Sequence, residues 1–589
     1  MNIYTSIEAK HQSELDQMNR KYSLFGFLRF LMILIIGVSI YYILKTEQLL
    51  LWIPAALALI GFIVIMKFHQ KLADAMLLKQ TLIQINKDEI KYLKREDIPF
   101  ENGIDFLDTQ HNYSYDLDFF GNRSLYHNLN RTGTFIGSLR LADLLKSLLP
   151  NKEIVDNQAA VKELAQKIDW RQSVLALSKL TNDNQKMYRQ LIRWSQSEGT
   201  ISKSLQVQSY VLPALFIVVG IVSIVLNHPA IQYIAGFLFV INLFVFFSNL
   251  KKIKQELFSV EKVHETINNY AIVLQAIESE SFSSDKLNQL QNELKYQNDF
   301  ASTEIKKLSD LFSSLDSIQN MMGAVIMNGI SLYHIHVYHS LLKWKQEHAK
   351  EIEKWMQVIG EVEALSSLAN FSYNNPEFCF PTLNEAYHIE ANNLGHPLLN
   401  PSVRICNNIS FNDHKFIILT GSNMSGKSTF LRSLGVNMVL AGIGSAVCAS
   451  SANIHPLNVF VSMRLSDSLA DNESYFFAEV KRLHHIMEQL KGKRGFVLLD
   501  EILRGTNSDD KRSGTIEVIK RMVEYQAIGA IATHDIEVCK TTEEYPHYLI
   551  NKRFETEIVN DELIFDYKMK DGVCQNKSAY FLMKQMGVI

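Results

Sequence analysis

The run Gly421-Ser422-Asn423-Met424-Ser425-Gly426-Lys427-Ser428-Thr429 concentrates more chemistry than any other stretch of the chain. It follows a short apolar strand, Phe416 to Thr420, and leads into a helix-compatible segment. That is the GxxxxGK[ST] pattern in its strand–loop–helix setting. Glycines let backbone N–H groups turn inward and cradle phosphate oxygens, and the helix start adds its positive dipole end. Lys427 is placed to reach the β- and γ-phosphates of ATP, and the Ser428 hydroxyl to ligate Mg²⁺. A second apolar strand, Phe496-Val497-Leu498-Leu499, ends in Asp500-Glu501. Acidic residues at such a strand end face the nucleotide crevice of a parallel sheet. Asp500 is there expected to hold Mg²⁺ through water, and Glu501 to polarise the attacking water as general base. A third strand, Ala527 to Ala532, ends in Thr533-His534-Asp535, which makes His534 a candidate γ-phosphate sensor. A satisfied structural histidine is the plainer alternative for that position taken alone.

These strand ends need a sheet to align them. From Asn374-Asn375-Pro376 onward strands and helices alternate, the signature of an α/β domain. Upstream, Ala73 to about Ser209 reads as mostly helical, with apolar residues such as Leu78, Leu82 and Ile85 at helical spacing. Lys251 to Phe371 is again helical, and its heptad-like stretches, Leu287 to Leu294 and Ile305 to Ile318, are accounted for by interhelix packing.

Four uncharged apolar runs interrupt this pattern: Phe30 to Leu44, Leu49 to Met66, Tyr210 to Leu226 and Ala230 to Phe247. A helix rises about 1.5 Å per residue, so an apolar layer of about 30 Å needs roughly 20 residues, which each run reaches with its uncharged flanks. Connections as short as Lys45 to Gln48 and Asn227 to Pro229 force two helical hairpins. Arg20, Lys21, Arg29, Lys67, Lys71, Lys203, Lys251, Lys252 and Lys254 flank the outer ends, whereas the turns hold only Lys45. Positive charge stays in the cytoplasm, so both hairpins are expected to dip outward and return, with both termini and the α/β domain cytoplasmic. The polar N-terminal segment has no cleavable-signal pattern.

Composition sets the outer bounds. The 589 residues suggest about four domains. With 47% apolar and 21% charged residues, wholesale disorder is excluded. Net charge is −3, so nucleic-acid binding would need a local patch. The five cysteines include no CxxC pair, which argues against a zinc site or disulfide framework and fits a reducing compartment.

The segments LTGSNMSGKSTFLRS, SDSLADNESYFFAEVKRL, VLLDEILRGTNSDD and IATHD resemble the ATPase domain of the MutS family of DNA mismatch-repair proteins. Further similarity lies in Ser114 to Leu145, Asp156 to Val161, Glu361 to Leu365, Leu394 to Leu398 and the tail GVCQNKSAYFLMKQMG, so the resemblance covers roughly 73–200 and 300–589. It implies a homodimer whose ATPase domains complete each other's pockets, with Ser474 reaching the partner's γ-phosphate; a plain helix N-cap is the other reading of Ser474. It also implies adenine stacking on Tyr567, while a second family aromatic is replaced by Val403. The family's Phe-x-Glu mismatch wedge does not occur in the residues before the first apolar run, and no clear equivalent of its DNA clamp is seen.

The expected architecture is therefore membrane-anchored and multi-domain: four transmembrane helices in two hairpins, an all-α MutS-like core, and a C-terminal α/β P-loop (ABC-type) ATPase domain. Its parts are a cytoplasmic segment 1–23, hairpins 24–67 and 210–247, helical core 68–209 and 248–375, and ATPase domain 376–589. The expected function is ATP hydrolysis at composite dimer sites in the cytoplasmic membrane, coupled to weak DNA binding without sequence specificity. The alternative is ATP-driven change in the membrane or an unknown protein partner without DNA. An ABC transporter fits worst: four spans make a poor pathway, no LSGGQ-like signature occurs, and the spans carry no internal charges.

Overall fold

The computed structural model describes residues 2–46, 50, 52–197, 199, 203–257, 263–297, 299–464, 475–559 and 562–575. The chain is mostly helical, with an α/β region at its C-terminal side.

Among the described residues, four helices are long and apolar enough to cross a membrane: Asn2–Thr46, Trp52–Leu93, Lys203–Leu226 and Pro229–Glu256. The first two run far past their apolar stretches. Their polar halves pair as a stalk, in which Leu15 packs on Met76 and Ile83, Lys79 pairs with Glu14 at 2.6 Å and Tyr22 stacks on His69 at 4.0 Å. Residues 1–23, read from sequence as a separate cytoplasmic segment, are thus from Asn2 onward continuous with the first long helix.

The stalk ends in the helical core. Tyr4 is almost fully buried there, and its hydroxyl donates to Asn374 Oδ1 at 2.8 Å. Asn374 and Asn370 in turn donate to Glu89, at 3.3 Å and 3.0 Å. Glu89 also pairs with the buried Arg131, whose guanidinium lies over Phe100. Buried polar groups with every partner in place fix one packing arrangement. Removing only the Tyr4 hydroxyl tests whether the stalk is docked. Tyr4→Phe should lower stability by about 0.5–1.5 kcal/mol, measured by denaturant unfolding in detergent micelles. An unchanged midpoint would contradict the docking.

The longest helix of the core, Tyr333–Asn374, is its lever. Trp355, Ile359, Val362 and Leu368 are buried along it, because helices Phe135–Leu145, Asn151–Gln166 and Ala301–Asp316 pack around it. Between Leu93 and Leu125 the expected helical pattern gives way to turns and one short 3-10 turn, Ile104–Phe106. The reason is local. Asn102, Asp97 and Asp108 carboxyl or amide oxygens accept nearby backbone N–H groups, which competes with helix formation.

Candidate functional site

Among the described residues, the larger sheet of the α/β region has five parallel strands, in the spatial order Leu549–Val559, Phe416–Gly421, Ile528–Thr533, Phe496–Asp500, Val459–Ser462; Glu562–Asp571 adds an antiparallel edge. The inner strands are buried on both faces, as their near-continuous apolar sequences require. Register does the positioning. Thr533 lies beside Thr420, and Ala532 beside Asp500, so three strands end at one edge. The residues just beyond those ends, Gly421 onward, Glu501 and His534, therefore meet although they are far apart in sequence.

The phosphate-loop segment turns between strand Phe416–Gly421 and helix Lys427–Gly442. Gly426 caps that helix at φ 100°, a left-handed conformation that glycine adopts without strain. Gly421 has no room for a side chain, since a Cβ there would lie 2.7 Å from Ser425 Oγ and 2.8 Å from the Phe554 carbonyl. Asn423, Met424 and Thr429 are exposed, whereas Ser425 and Lys427 are buried. The Ser422 and Ser425 hydroxyls are buried without a hydrogen-bond partner among the described residues. Lys427 Nζ donates to the Gly421 and Ser422 carbonyls, both at 2.9 Å, and lies 3.5 Å from His534 Nε2. Burial holds the Lys427 ammonium below its ordinary range, opposed by Glu501 and Asp500. A desolvated ammonium gains from an anionic ligand, against the repulsion of the two nearby carboxylates.

Ser428 Oγ donates to Asp500 Oδ2 at 2.6 Å. The other carboxylate oxygen, Asp500 Oδ1, is buried without a partner among the described residues. A hydroxyl joined to a half-satisfied carboxylate is the oxygen-donor chemistry that suits Mg²⁺. Glu501, at φ 49°, is anchored by its N–H, which donates to the Ala532 carbonyl at 3.0 Å. Its Oε1 meets His534 Nε2 at 2.5 Å, and its Oε2 meets Arg504 at 3.2 Å. The His534 hydrogen bond and then the charges of His534, Arg504 and Lys427 hold the Glu501 carboxyl down at about 2, against burial. Glu501 is thus a carboxylate throughout the neutral range.

Lys427, Ser428, Asp500, Glu501 and His534 are all brought together. Arg504 was missed from sequence. It sits three residues after Glu501 in a turn, and its N–H is held by the buried Glu479 at 3.0 Å. The signal available was a basic residue following the acidic pair, inside LRGT. Tyr567 lies against the loop from the antiparallel edge strand. A Cβ on Gly426 would come within 2.9 Å of its ring. Asn407 donates to the Tyr567 carbonyl at 3.1 Å, and Phe565 stacks on its ring. Val403 is exposed. Ser474 lies outside the described residues.

A parallel sheet whose strand ends gather a GxxxxGKS loop, an Asp-Glu pair and a histidine defines the class of phosphate-loop α/β domains. Residues 417–586 match the family model of MutS domain V. Among curated proteins, the DNA mismatch repair protein MutS of Clostridium perfringens is 29% identical over 253 residues, 41% of this chain and 28% of that protein. The DNA mismatch repair protein MutS of Thermotoga petrophila is 29% identical over 252 residues, 41% of this chain and 31% of that protein. The similarity to MutS proteins thus lies in this C-terminal region, where the chain carries a MutS domain V match. Its match spans less than a third of the length of those relatives.

Proposed function

We propose that this chain is a membrane-anchored MutS-like ATPase that acts as a homodimer. The observation that carries the reading is the meeting of Lys427, Ser428, Asp500, Glu501 and His534 at one sheet edge. The inward-turned N–H groups of residues 421–429 cradle the phosphates, and Lys427 exchanges its loop carbonyls for phosphate oxygens. Ser428 and Asp500 would hold Mg²⁺, which when bound neutralises charge on the β- and γ-phosphates. Glu501 takes the proton of the attacking water once His534 releases its Oε1, and His534 then turns toward the γ-phosphate. Arg504 keeps the other oxygen of Glu501 fixed. Tyr567 supplies a ring for the adenine, and Ser474 completes the pocket of the opposite subunit. Hydrolysis assays on the full chain in detergent, with and without Mg²⁺, test the reading; absence of Mg²⁺-dependent turnover would refute it.

The two helical hairpins cross the cytoplasmic membrane, with both termini inside. A cysteine introduced at Asn227, between the helices of the second hairpin, should react with an impermeant maleimide from outside intact cells. Labelling only after lysis would contradict this topology.

Both relatives are DNA mismatch repair proteins, yet many core lysines here are already paired. Lys167 meets Glu280, Lys286 meets Glu361, Lys306 meets Asp310 and Lys307 meets Glu304. Duplex binding should therefore be weak and steeply salt-dependent. Preference for a mismatched over a matched duplex should stay below about 1 kcal/mol, against roughly 1–3 kcal/mol for one read base pair. Affinities for both duplexes at two salt concentrations, with and without ATP, decide the point.

A specific observation favours coupling to the membrane instead. The lever helix touches the stalk at one end, where Asn374 meets Tyr4. At its other end His334 packs on Phe246 of the second hairpin. A rotation of the α/β region would be felt at both hairpins through one rigid element.

A further inference from the structure

The short helix Met321–Ser331 contributes no residue to the candidate site described above, and it exposes an apolar face. Met321, Met322, Ile326, Met327 and Ile330 are all exposed, Met322 to 77%. No Asp, Glu, Lys or Arg occurs from Ser317 through Leu342. A face this apolar and this continuous marks an interaction surface.

Its neighbours identify what covers it. The helix packs on the two helices of the second hairpin. Asn242 Nδ2 donates to the Gly329 carbonyl at 2.8 Å. Gly329 is pressed so closely against Phe239 that a Cβ would lie 2.1 Å from the ring. Phe239 and Asn242 both belong to the apolar run Ala230 to Phe247. Phe239 lies about 12 Å along the helix axis from the end of that run at Phe247, at about 1.5 Å per residue. His336, further along, meets the ring of Tyr210 at the start of the other apolar run. The segment thus enters level with the inner ends of the spans and reaches well into their apolar stretch.

We propose that Met321–Ser331 is a re-entrant helix seated in the inner leaflet, with lipid acyl chains covering its methionine- and isoleucine-rich face. The inference rests on the second hairpin spanning the membrane. The helix is too short to cross, being about 16 Å long against a hydrocarbon layer of about 30 Å. Non-helical backbone at that depth must have its polar groups satisfied within the protein, and the turns at both ends do. Asn320 caps the first turn by accepting the Gly323 N–H at 3.2 Å. At the far end Asn328 Oδ1 accepts the His334 N–H at 3.0 Å, Asn328 Nδ2 meets His334 Nδ1 at 2.6 Å, and Ser317 Oγ meets His334 Nε2 at 2.9 Å. Asn328 and His334 are both fully buried. Lipid is favoured over a second copy of the chain because the helix packs directly on both helices of a hairpin whose own exposed side chains, such as Val240 and Phe244, are apolar.

Photo-crosslinking tests this directly on the full chain. Benzoylphenylalanine is placed singly at Met322, at Ile224 in the second hairpin, or at Ile536 in the α/β region, all three exposed so that folding does not depend on them. Each protein is reconstituted into phosphatidylethanolamine–phosphatidylglycerol vesicles that carry a radiolabelled acyl chain. Met322 should capture labelled lipid at a yield comparable to Ile224 and about tenfold above Ile536, since only the first two lie in hydrocarbon. Lipid capture at Ile224 with none at Met322 would overturn this inference alone. A chain-to-chain adduct at Met322 without lipid would overturn it in favour of a second copy. No lipid capture at either site would overturn both this inference and the membrane reading of the hairpin.

Discussion

Replacing Glu501 by Gln should leave nucleotide affinity nearly unchanged while slowing hydrolysis by about 10²–10⁴-fold, the usual contribution of a positioned general base. The amide preserves the volume but keeps one acceptor oxygen of the two that meet His534 and Arg504, and it accepts no proton from water. The pair also shapes the pH dependence. His534, Arg504 and Lys427 hold the Glu501 carboxyl at about 2 in the folded chain, below the ordinary 4.5. A depressed carboxyl contributes stability that is complete above the unfolded value and is lost as pH falls through the folded one. Glu501 should thus contribute nothing to stability changes above about pH 5, and its contribution should disappear between about pH 4.5 and 2. A carboxylate with so low a pKa is a poor base, and the hydrogen bond from His534 has to break before Glu501 can take a proton. Single-turnover rates and equilibrium binding of a fluorescent nucleotide separate the two effects of Glu501→Gln. An unchanged hydrolysis rate would move the base elsewhere.

Lys427→Ala should act at the earlier step. The lysine is buried and donates to two loop carbonyls, bonds that it would exchange for phosphate oxygens. Charge-assisted hydrogen bonds of this kind contribute about 1.5–3 kcal/mol, so nucleotide affinity should drop by roughly 10- to 100-fold. Subunit mixing then tests the composite site. A dimer of one Ser474→Ala and one Lys427→Ala subunit keeps a single complete pocket, formed by Lys427 of the first and Ser474 of the second. Two proteins that are each inactive alone should regain activity on mixing, up to half the normal rate per dimer. Full activity of Ser474→Ala by itself would remove the trans role.

The candidate site of this chain is legible in its sequence where it is local. Residues 416–429 carry strand, turn and helix signals in immediate succession, and the loop's phosphate-cradling logic needs nothing beyond its own backbone. Asp500-Glu501 and Thr533-His534 were legible for a related reason: a buried strand is a short apolar run, and the residues after it must emerge at the sheet edge. The four apolar helices were legible from length and charge alone. Tertiary structure decided whatever depends on partners distant in sequence. The parallel register Thr533 to Thr420 and Ala532 to Asp500 is what places His534 on Glu501. Arg504 joins them only because Glu479 holds its backbone from another helix. The polar residues 2–23 carry too weak a helical stripe to announce a stalk, and Tyr4 reveals one only by reaching Asn374, 370 positions further along the chain. Met321–Ser331 is the clearest case, since an apolar eleven-residue helix is equally at home in a core, at an interface or in lipid. Its place beside the second hairpin was decided by two contacts, Asn242 to Gly329 and Phe239 against Gly329, which no local pattern of residues encodes.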